Sequence, residues 1–366
     1  MPNSSGKSIK VLSIDGGGIR GIIAAVILKE ILDRVGRTAH ETFDLIAGTS
    51  TGGILALGLG TPSHNGVPYS PQDLLDLYVQ NGAEIFKRGA FTFLKQFCGP
   101  KYAAKPLETV LKKYFGKATI QTALAPLLIS SYDLRGQLPF FFKSRAFHEE
   151  EFIDWGVTDI ARATSAAPTF FPPKHLTWGT GDFALVDGGI YVNNPAMAAY
   201  AEARRLYPNA SRFVVVAVGT GNRQDHICYF PAKYWGLLGW ATKIVPIFMD
   251  SVSEAVDYEL KRMPDCNYCR LQPEDISLAS NDMDNVDPEN LEALQTVARN
   301  YLRTKADYVD CVVNQLKEGR GGDLTGYGLM ADKEGGIEQD GHDLSGYGAS
   351  QRNSTGTLFA EEYHPN

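Results

Sequence analysis

Two short apolar runs near the start of the chain each end at glycines and lead into a second, helical pattern. The first run covers residues 10–15 and passes through three glycines into apolar residues at helical spacing over 22–34. The second covers 43–47 and breaks off in the glycine-rich turn 48–53. Strands that enter glycine loops and then helices build parallel sheets. The pattern therefore predicts an α/β fold with a mostly parallel central sheet.

The same alternation of strands and helices continues through the middle of the chain. Further strands are predicted at 127–132 and 139–143 around a turn at 135–136, at 185–187, and at 213–218, where we expect the core sheet to end. Helices are predicted from Ser70, which can cap a helix begun by Pro71, and over 159–167, 195–206, 235–262 and 288–313.

Apolar periodicity stops in the C-terminal part, where residues 319–348 contain ten glycines. The sequence DLTGYG at 323–328 returns as DLSGYG at 343–348. Two copies are too few to build a solenoid. The composition predicts a flexible linker or tail, and a segment that binds a partner or a second copy is the alternative.

Composition narrows the class of protein. A hydrophobic fraction of 44% with 21% charged residues is typical of a globular chain, and a net charge of -7 gives no general attraction to a nucleic acid polymer. Five scattered cysteines and a polar N-terminus predict reduced thiols and a cytoplasmic location. We expect no membrane span, although residues 235–249 could contact a membrane interface if they do not form a buried helix.

Ser50 is the candidate nucleophile. It stands in a G-x-S-x-G pattern between Gly48 and Gly52, directly after an apolar strand. In such an elbow the serine occupies a strained tip, and the flanking glycines avoid the collisions that Cβ atoms would cause. An ordinary glycine-rich turn is the alternative.

The first glycine loop could supply the hydrogen-bond donors that an acyl transfer needs. Backbone N–H groups of Gly16, Gly17 and Gly18 could point into one concavity beside a helix N-terminus, with Arg20 adding charge, which outlines an oxyanion hole. Gly16, Gly18 and Gly21 also fit a dinucleotide fingerprint. That fingerprint requires an acidic residue at the end of the second strand. Here the second strand ends at Gly48, so the oxyanion hole is the favoured interpretation.

Asp187 is the candidate base, because none of the seven histidines stands in a recognisable triad context. It follows a strand and precedes Gly188 and Gly189, so it should lie at the carboxyl edge of the same sheet as Ser50. A turn-forming aspartate is the alternative. If a histidine acts as the base instead, His175 is the candidate, and a catalytic His175 would contradict a Ser-Asp dyad.

Three motifs in this order, DGGGIRG at 15–21, GTSTG at 48–52 and DGG at 187–189, resemble those of the patatin-like phospholipases, as do segments at 99–102, 163–173 and 218–221. The resemblance covers about residues 8–305 and leaves 306–366 as a helix end and glycine-rich extension. It implies a three-layer α/β/α fold and a lipid acyl hydrolase with a Ser-Asp dyad. By motif, Ser50 is the nucleophile, Asp187 the base, and the backbone of residues 16–18 the oxyanion hole.

The resemblance also implies partners. The substrate would be a glycerolipid, a phospholipid or galactolipid, at a membrane surface, cleaved as by a phospholipase A without metal or cofactor. Some bacterial members resemble immune effectors that a cyclic dinucleotide activates, which makes such an activator and a role in antiviral defence a further expectation. A non-catalytic lipid- or dinucleotide-binding α/β module is the alternative, and the intact Ser50 and Asp187 favour an enzyme.

Two apparent metal motifs are interpreted otherwise. Cys266 and Cys269 have the C-x-x-C spacing but no second pair, so a zinc site is rejected. Asp282, Asp284 and Asp287 lack the central glycine of a calcium loop and are expected to cap a helix instead.

Overall fold

An eight-stranded sheet lies at the centre of the fold. The computed structural model describes residues 8–87, 99–145, 153–222, 227–236, 239–240 and 243–318. The strands are β1 (Ile9–Ile14), β2 (Leu45–Gly48), β3 (Leu127–Asp133), β4 (Leu138–Lys143), β5 (Lys174–Trp178), β6 (Gly181–Asp187), β7 (Phe213–Val218) and β8 (Cys266–Leu271). Their order is β5-β6-β3-β2-β1-β7-β8, with β4 also paired to β3.

The sheet is mixed, and its parallel part is central. Strand β1 pairs in parallel with β2 and β7, β2 with β3, and β7 with β8. Strands β4, β5 and β6 join through antiparallel pairs. The antiparallel hairpin β3–β4 was predicted from the turn at 135–136, and the expected mostly parallel core is confirmed.

Helices follow the strands along the chain. They are α1 (Gly21–Val35), α2 (Ala39–Thr42), α3 (Thr51–Gly60), α4 (Pro71–Ile85), α5 (Ala104–Phe115), α6 (Val157–Thr164), α7 (Ala196–Leu206), α8 (Tyr229–Lys233), α9 (Ile244–Leu260), α10 (Pro288–Thr304) and α11 (Ala306–Glu318). Helix α4 begins as predicted: the hydroxyl of Ser70 accepts from Asp73 N–H at 3.2 Å, and the Asp73 carboxylate accepts from Ser70 N–H at 2.8 Å.

Two cores lie on opposite faces of the sheet because successive side chains of a strand point to opposite sides. Leu12 and Ile14 belong to the larger core, which helices such as α1 and α3 cover. Val11 belongs to the smaller core with Ala199 of α7 and Leu260 of α9. This is the three-layer α/β/α arrangement that the sequence predicts.

Three boundaries predicted from the sequence were wrong. The sheet does not end at β7, because β8 adds a parallel strand beyond it. The helix predicted over 235–262 is shorter, since Trp235 and Gly236 are not helical and α9 starts at Ile244. The helix predicted over 288–313 is two helices, with the backbone leaving the helical conformation at Lys305. The two helix errors arose where an apolar pattern continued past a local break in backbone geometry, whereas β8 was missed because its sequence, CNYCRL, has little apolar pattern.

The core continues past residue 305, where the resemblance placed the end of the family domain. Side chains of α11 are buried in the larger core: Val309, Val312, Val313 and Leu316. The glycine-rich repeat at 323–348 lies outside the described residues. In the described part of the chain, no helix is both long and apolar enough to cross a bilayer.

Candidate active site

Ser50 lies in the turn between β2 and α3 with a positive φ. Its φ is 55° and its ψ is −123°, a region that residues with a Cβ rarely adopt. A Cβ on Gly48 would lie 2.1 Å from the carbonyl oxygen of Gly52, and one on Gly52 would lie 2.2 Å from that of Ile14. The chain can therefore turn this sharply only with glycine at both positions, as the elbow pattern predicted.

The surroundings fix the backbone of this turn. Ser50 N–H donates to the Thr164 hydroxyl of α6 at 2.9 Å. A Cβ on Gly21 would lie 2.2 Å from Thr51 Oγ1, so the glycine at the start of α1 allows close packing on α3. Gly21 therefore serves packing between the two helices that follow the glycine loops.

Asp187 reaches the same sheet edge by an unexpected route. Strand β4 pairs with β3 from Leu128 to Asp133, so it occupies one side of β3. The other side is shared end to end: β2 ends with Gly48 opposite Ile129, and β6, running the opposite way, ends with Asp187 opposite Ser131. Because only one residue of β3 separates these two positions, the ends of β2 and β6 meet, and Ser50 and Asp187 are brought together.

The carboxylate of Asp187 lies beside Ser50. It accepts a hydrogen bond from Gly189 N–H at 2.8 Å, and the Ser50 side chain is close enough to act on the pKa of the carboxyl. A Cβ on Gly188 would lie 2.3 Å from Ser130 Oγ, so the turn after Asp187 also requires glycine. Gly188 and Gly189 thus place and orient the carboxylate.

Burial changes the acidity of this group. Asp187 is only 4% exposed. Removal from water raises the pKa of its carboxyl to about 6, although the hydrogen bonds from Ser50 and Gly189 act to lower it. An aspartate of this kind is a stronger base than one in water and is still ionised at neutral pH.

The first glycine loop lies against Ser50. A Cβ on Gly16 would lie 3.3 Å from Ser50 Cβ and 2.5 Å from Asn193 Oδ1. Gly16 N–H donates to the carbonyl of Asn193 at 3.1 Å, and the Thr220 hydroxyl donates to the carbonyl of Gly16 at 2.7 Å. Both polar groups of Gly16 are therefore engaged, and its role is close approach to the serine.

Neighbouring atoms leave even less room for a Cβ at Gly17 and Gly18. A Cβ on Gly17 would lie 2.2 Å from Thr220 Oγ1, and one on Gly18 would lie 2.2 Å from the carbonyl oxygen of Met283. Gly18 also has a φ of 58°. Within the described residues, the N–H groups of Gly17 and Gly18 donate to no backbone or side-chain acceptor.

Arg20 follows the loop but points its guanidinium to another partner. Its Nη1 donates to Asn281 Oδ1 at 2.8 Å. Burial lowers the pKa of Arg20, and the nearby Asp250 carboxylate raises it. Arg20 therefore supplies positive charge beside the glycine loop, while its Nη1 hydrogen bond is used by Asn281.

No histidine in the described ranges hydrogen-bonds to Ser50 or Asp187. His175 lies on edge strand β5, is 69% exposed, and contacts Asp182 at 2.6 Å. His40 contacts Thr38, and His64 is exposed. The remaining histidines, at 148, 226, 342 and 364, lie outside the described residues.

The apparent metal motifs have other surroundings. Cys266 and Cys269 lie on β8 inside the sheet, where Cys269 is buried. Asp284 accepts from Tyr102 OH at 2.5 Å and pairs with Lys101. Asp287 stands at the predicted N-cap of α10, but its side chain makes no capping hydrogen bond.

Several residues that shape the site were not singled out as functional from the sequence. Thr164 and Thr220 belong to segments 163–173 and 218–221, which resembled the family, but their roles depend on long-range contacts. Met283 approaches the glycine loop through its backbone carbonyl, which carries no residue-specific signal, while Asn193 approaches Gly16 through both its backbone carbonyl and its side-chain Oδ1.

Comparison with known proteins identifies the family of this chain. A family model described as patatin-like phospholipase matches residues 12–200. Patatin-like protein 1 of Arabidopsis thaliana is 31% identical over 346 residues, which span 83% of this chain and 84% of that protein. The chain belongs to the patatin-like phospholipase family. Membership of this family indicates lipid acyl hydrolase activity.

Other relatives extend the comparison. Patatin-05 of Solanum tuberosum is 32% identical over 334 residues, covering 81% of this patatin-like chain and 84% of that protein. Among solved structures, VipD from Legionella pneumophila aligns with a TM-score of 0.34 and 11% identity over 82% of this chain and 70% of that chain. That structural likeness is too low to support a conclusion about this chain.

Proposed function

We propose that this patatin-like protein hydrolyses fatty acyl esters of glycerolipids, as a phospholipase A does, with Ser50 as nucleophile and Asp187 as base. The observation that carries the proposal is that the ends of β2 and β6 bring Ser50 beside the buried carboxylate of Asp187, whose pKa is raised to about 6. A nucleophile and base within hydrogen-bond reach are the signature of covalent acyl transfer. The raised pKa brings the base closer to neutrality, where general-base catalysis is most effective.

The reaction proceeds in two halves. Asp187 takes the proton of Ser50 as Oγ attacks the ester carbonyl carbon, and the resulting tetrahedral intermediate collapses when Asp187 returns that proton to the leaving glycerol oxygen. Water then attacks the acyl-enzyme while Asp187 accepts its proton. The second tetrahedral intermediate collapses as its bond to Oγ breaks, Asp187 returns the proton to Ser50 Oγ, and the fatty acid is released.

The oxyanion hole is assigned to Gly17 and Gly18. The family motif covers residues 16–18, but Gly16 N–H already donates to Asn193. The N–H groups of Gly17 and Gly18, without acceptors in the described part of the chain, precede helix α1, whose N-terminus favours negative charge. Such preorganised donors stabilise the charge that develops on the carbonyl oxygen.

Ser50→Ala tests the assignment. We expect the variant to fold and to lose at least ~10³-fold in kcat on a p-nitrophenyl acyl ester, because a nucleophile that acts as part of a unit cannot be replaced. Ser211→Ala, at an exposed position, is the matched control and should keep wild-type turnover and fluorophosphonate labelling. Unchanged hydrolysis by Ser50→Ala would remove Ser50 from the mechanism.

The alternative of a non-catalytic dinucleotide-binding module is disfavoured by the loop. In such a module the pyrophosphate lies on the helix N-terminus. Here Ile19 N–H donates to Met283 O at 2.8 Å, and the same carbonyl covers Gly18. A purified protein that bound dinucleotide or lipid but neither hydrolysed esters nor reacted with fluorophosphonate would support the alternative.

Cyclic-dinucleotide activation and a role in antiviral defence rest on the resemblance to bacterial effectors alone. Liposome hydrolysis by the purified protein, measured with and without a panel of cyclic dinucleotides, tests the activator. Full activity on liposomes without nucleotide would contradict it. Comparing lipids from membranes treated with wild type and with Ser50→Ala would identify the acyl position and headgroup.

A further inference from the structure

A small polar cavity lies beside the glycine loop, on the side formed by β8 and α9. Its volume is about 30 Å³, more than the roughly 10 to 15 Å³ that a single buried water molecule requires. Charged side chains dominate its lining: Asp15, Arg20, Asp250, Glu254, Asp257 and Arg270. Because the cavity lies next to residues 16–18, these charges act on the proposed oxyanion hole.

Arg270 is the guanidinium that balances the carboxylate nearest the loop. Its Nη2 lies 2.6 Å from Asp15 Oδ2, and the two side chains are only 12% and 3% exposed. The other oxygen of Asp15, Oδ1, is buried and has no hydrogen-bond partner among the described residues. The negative charge of Asp15 is therefore balanced by the guanidinium of Arg270.

Asp257, the second carboxylate near Arg270, is held differently. Its Oδ2 lies 3.5 Å from Arg270 Nε, but its Oδ1 also accepts from Tyr268 OH at 2.5 Å and from Asn194 at 3.1 Å. Loss of Arg270 would leave Asp257 with these partners. It would leave Asp15 with none of the hydrogen bonds described for its carboxylate.

The position of Asp15 makes this compensation matter for catalysis. Asp15 is two residues before Gly17, so their Cα atoms are at most about 7.6 Å apart. An unbalanced carboxylate so close, in a site shielded from water, would oppose the negative charge that forms on the substrate oxygen. A balanced one would not.

We infer that Arg270 is a positioning residue for the oxyanion hole, which it serves by neutralising Asp15 and by fixing the base of the glycine loop to strand β8. This inference rests on the proposed function, since it needs the N–H groups of Gly17 and Gly18 to receive the oxyanion. It assigns a function to a strand that the sequence pattern did not place in the sheet.

A distinctive pH dependence follows. Burial raises the pKa of Asp15 to about 6, and Arg270 acts to lower it, while Asp257 acts to raise it. Arg20, Asp250 and Glu254 also face the cavity. Without Arg270 the pKa of Asp15 rises further, so Asp15 is neutral at low pH and acquires an uncompensated charge at higher pH.

Arg270→Gln should therefore gain an alkaline limb. We expect its kcat on a soluble p-nitrophenyl ester to fall at least about tenfold as pH rises above the new pKa of Asp15, with KM little changed. Arg270→Lys keeps the positive charge and should lack the limb. The double variant Asp15→Asn, Arg270→Gln removes both charges and should lack it as well.

Arg205→Gln is the matched control, because Arg205 pairs with the buried Glu202, which joins α7 to Lys143 of β4 instead of to the glycine loop. It should lower the melting temperature without an alkaline limb. A purely structural Arg270 would give Arg270→Gln that same result, and this outcome overturns the inference. If Arg270→Gln does not fold, an alkaline limb in Arg270→Lys, or in the double variant, overturns it equally.

The same assay separates this inference from the proposed function. Ser50→Ala that retains activity contradicts the proposed function itself. Ser50→Ala that is inactive, together with an Arg270→Gln profile that matches wild type, leaves the proposed function standing and refutes the role of Arg270.

Discussion

At the residue scale, Asp187 carries a charge in surroundings that favour its neutral form. Its pKa is raised from 3.8 to about 6 by burial, so the ionised form needed for proton transfer predominates only above that pH. We expect kcat/KM for a soluble ester to rise through about pH 6 and to be lost below it. A profile that stayed flat down to pH ~4, the range of an unperturbed aspartate, would contradict the assignment of Asp187 as base.

Asp187→Asn should lower the activity and raise the stability of the protein. The variant keeps the shape of the side chain but should lose at least ~10³-fold in turnover because it cannot accept the proton. The pKa of Asp187 is raised in the folded state, so its charged form destabilises the fold once pH rises through about 6. The free energy of unfolding of the variant should exceed that of wild type by up to about 3 kcal/mol at pH 8, a difference that disappears below pH ~4.

Denaturant unfolding of both proteins across this pH range is the measurement. If the variant is less stable than wild type at pH 8, the hydrogen bonds of Asp187 outweigh the cost of its buried charge in the stability of the fold.

His175→Ala tests the dyad against a triad. Because the side chain of His175 is 69% exposed and its hydrogen-bond partner within the described part of the chain is Asp182, we expect turnover to stay within about tenfold of wild type. Steady-state kinetics on the soluble ester decide the matter. A folded His175→Ala as inactive as Ser50→Ala would establish a triad instead.

At the scale of elements, the site depends on loops that only glycine can form. Gly18 combines a φ of 58° with a carbonyl oxygen of Met283 where its Cβ would be. The loop is held by the segments that follow other strands, through Asn193, Thr220 and Met283. Its donors are thus positioned by tertiary contacts and not by the loop alone.

Gly18→Ala should displace these donors. We expect kcat to fall about 10²-fold, the order of effect that a shift of about 1 Å in catalytic groups produces. Gly36→Ala is the control: Gly36 has a φ of 73° at the end of α1, but no atom lies within 4 Å of its added Cβ. It should lower stability by about 1 to 2 kcal/mol and leave kcat unchanged.

At the scale of the whole molecule, the core depends on a helix beyond the predicted family domain. Helix α11 buries Val309 and Leu316 fully, and the carbonyl of Leu316 accepts from Lys10 and Arg37. Burial of each such side chain contributes about 1.5 to 3 kcal/mol. Four of them contribute as much as the net stability of a typical domain.

Two truncations should therefore differ sharply. Ending the chain after Glu318 removes the glycine-rich segment, which by composition can bury little apolar area, and should preserve the thermal transition and ester hydrolysis. Ending it after Lys305 also removes α11 and should abolish the cooperative transition. Calorimetry of both truncated proteins is the measurement, and loss of the transition after Glu318 would place the tail in the core.

The sequence by itself predicted the candidate site residues and determined most of the local structure. Strand, glycine loop and helix recur in a local pattern. The steric need for glycine at Gly48 arises within the elbow itself, from the carbonyl of Gly52, whereas the need at Gly52 comes from the carbonyl of Ile14 on β1. The N-cap at Ser70 and the turn between β3 and β4 were predictable because they depend on local residues. The candidate pair Ser50 and Asp187 followed from motif order and resemblance.

Only the tertiary structure brings Ser50 and Asp187 together. Asp187 meets Ser50 because antiparallel β6 pairs with the side of β3 that β2 leaves free, which brings together two residues about 140 positions apart in sequence. The engagement of Gly16 by Asn193, and the compensation of Asp15 by Arg270, join residues still further apart. Local pattern cannot specify such contacts, because strand order and buried charge pairing arise only when the whole sheet packs.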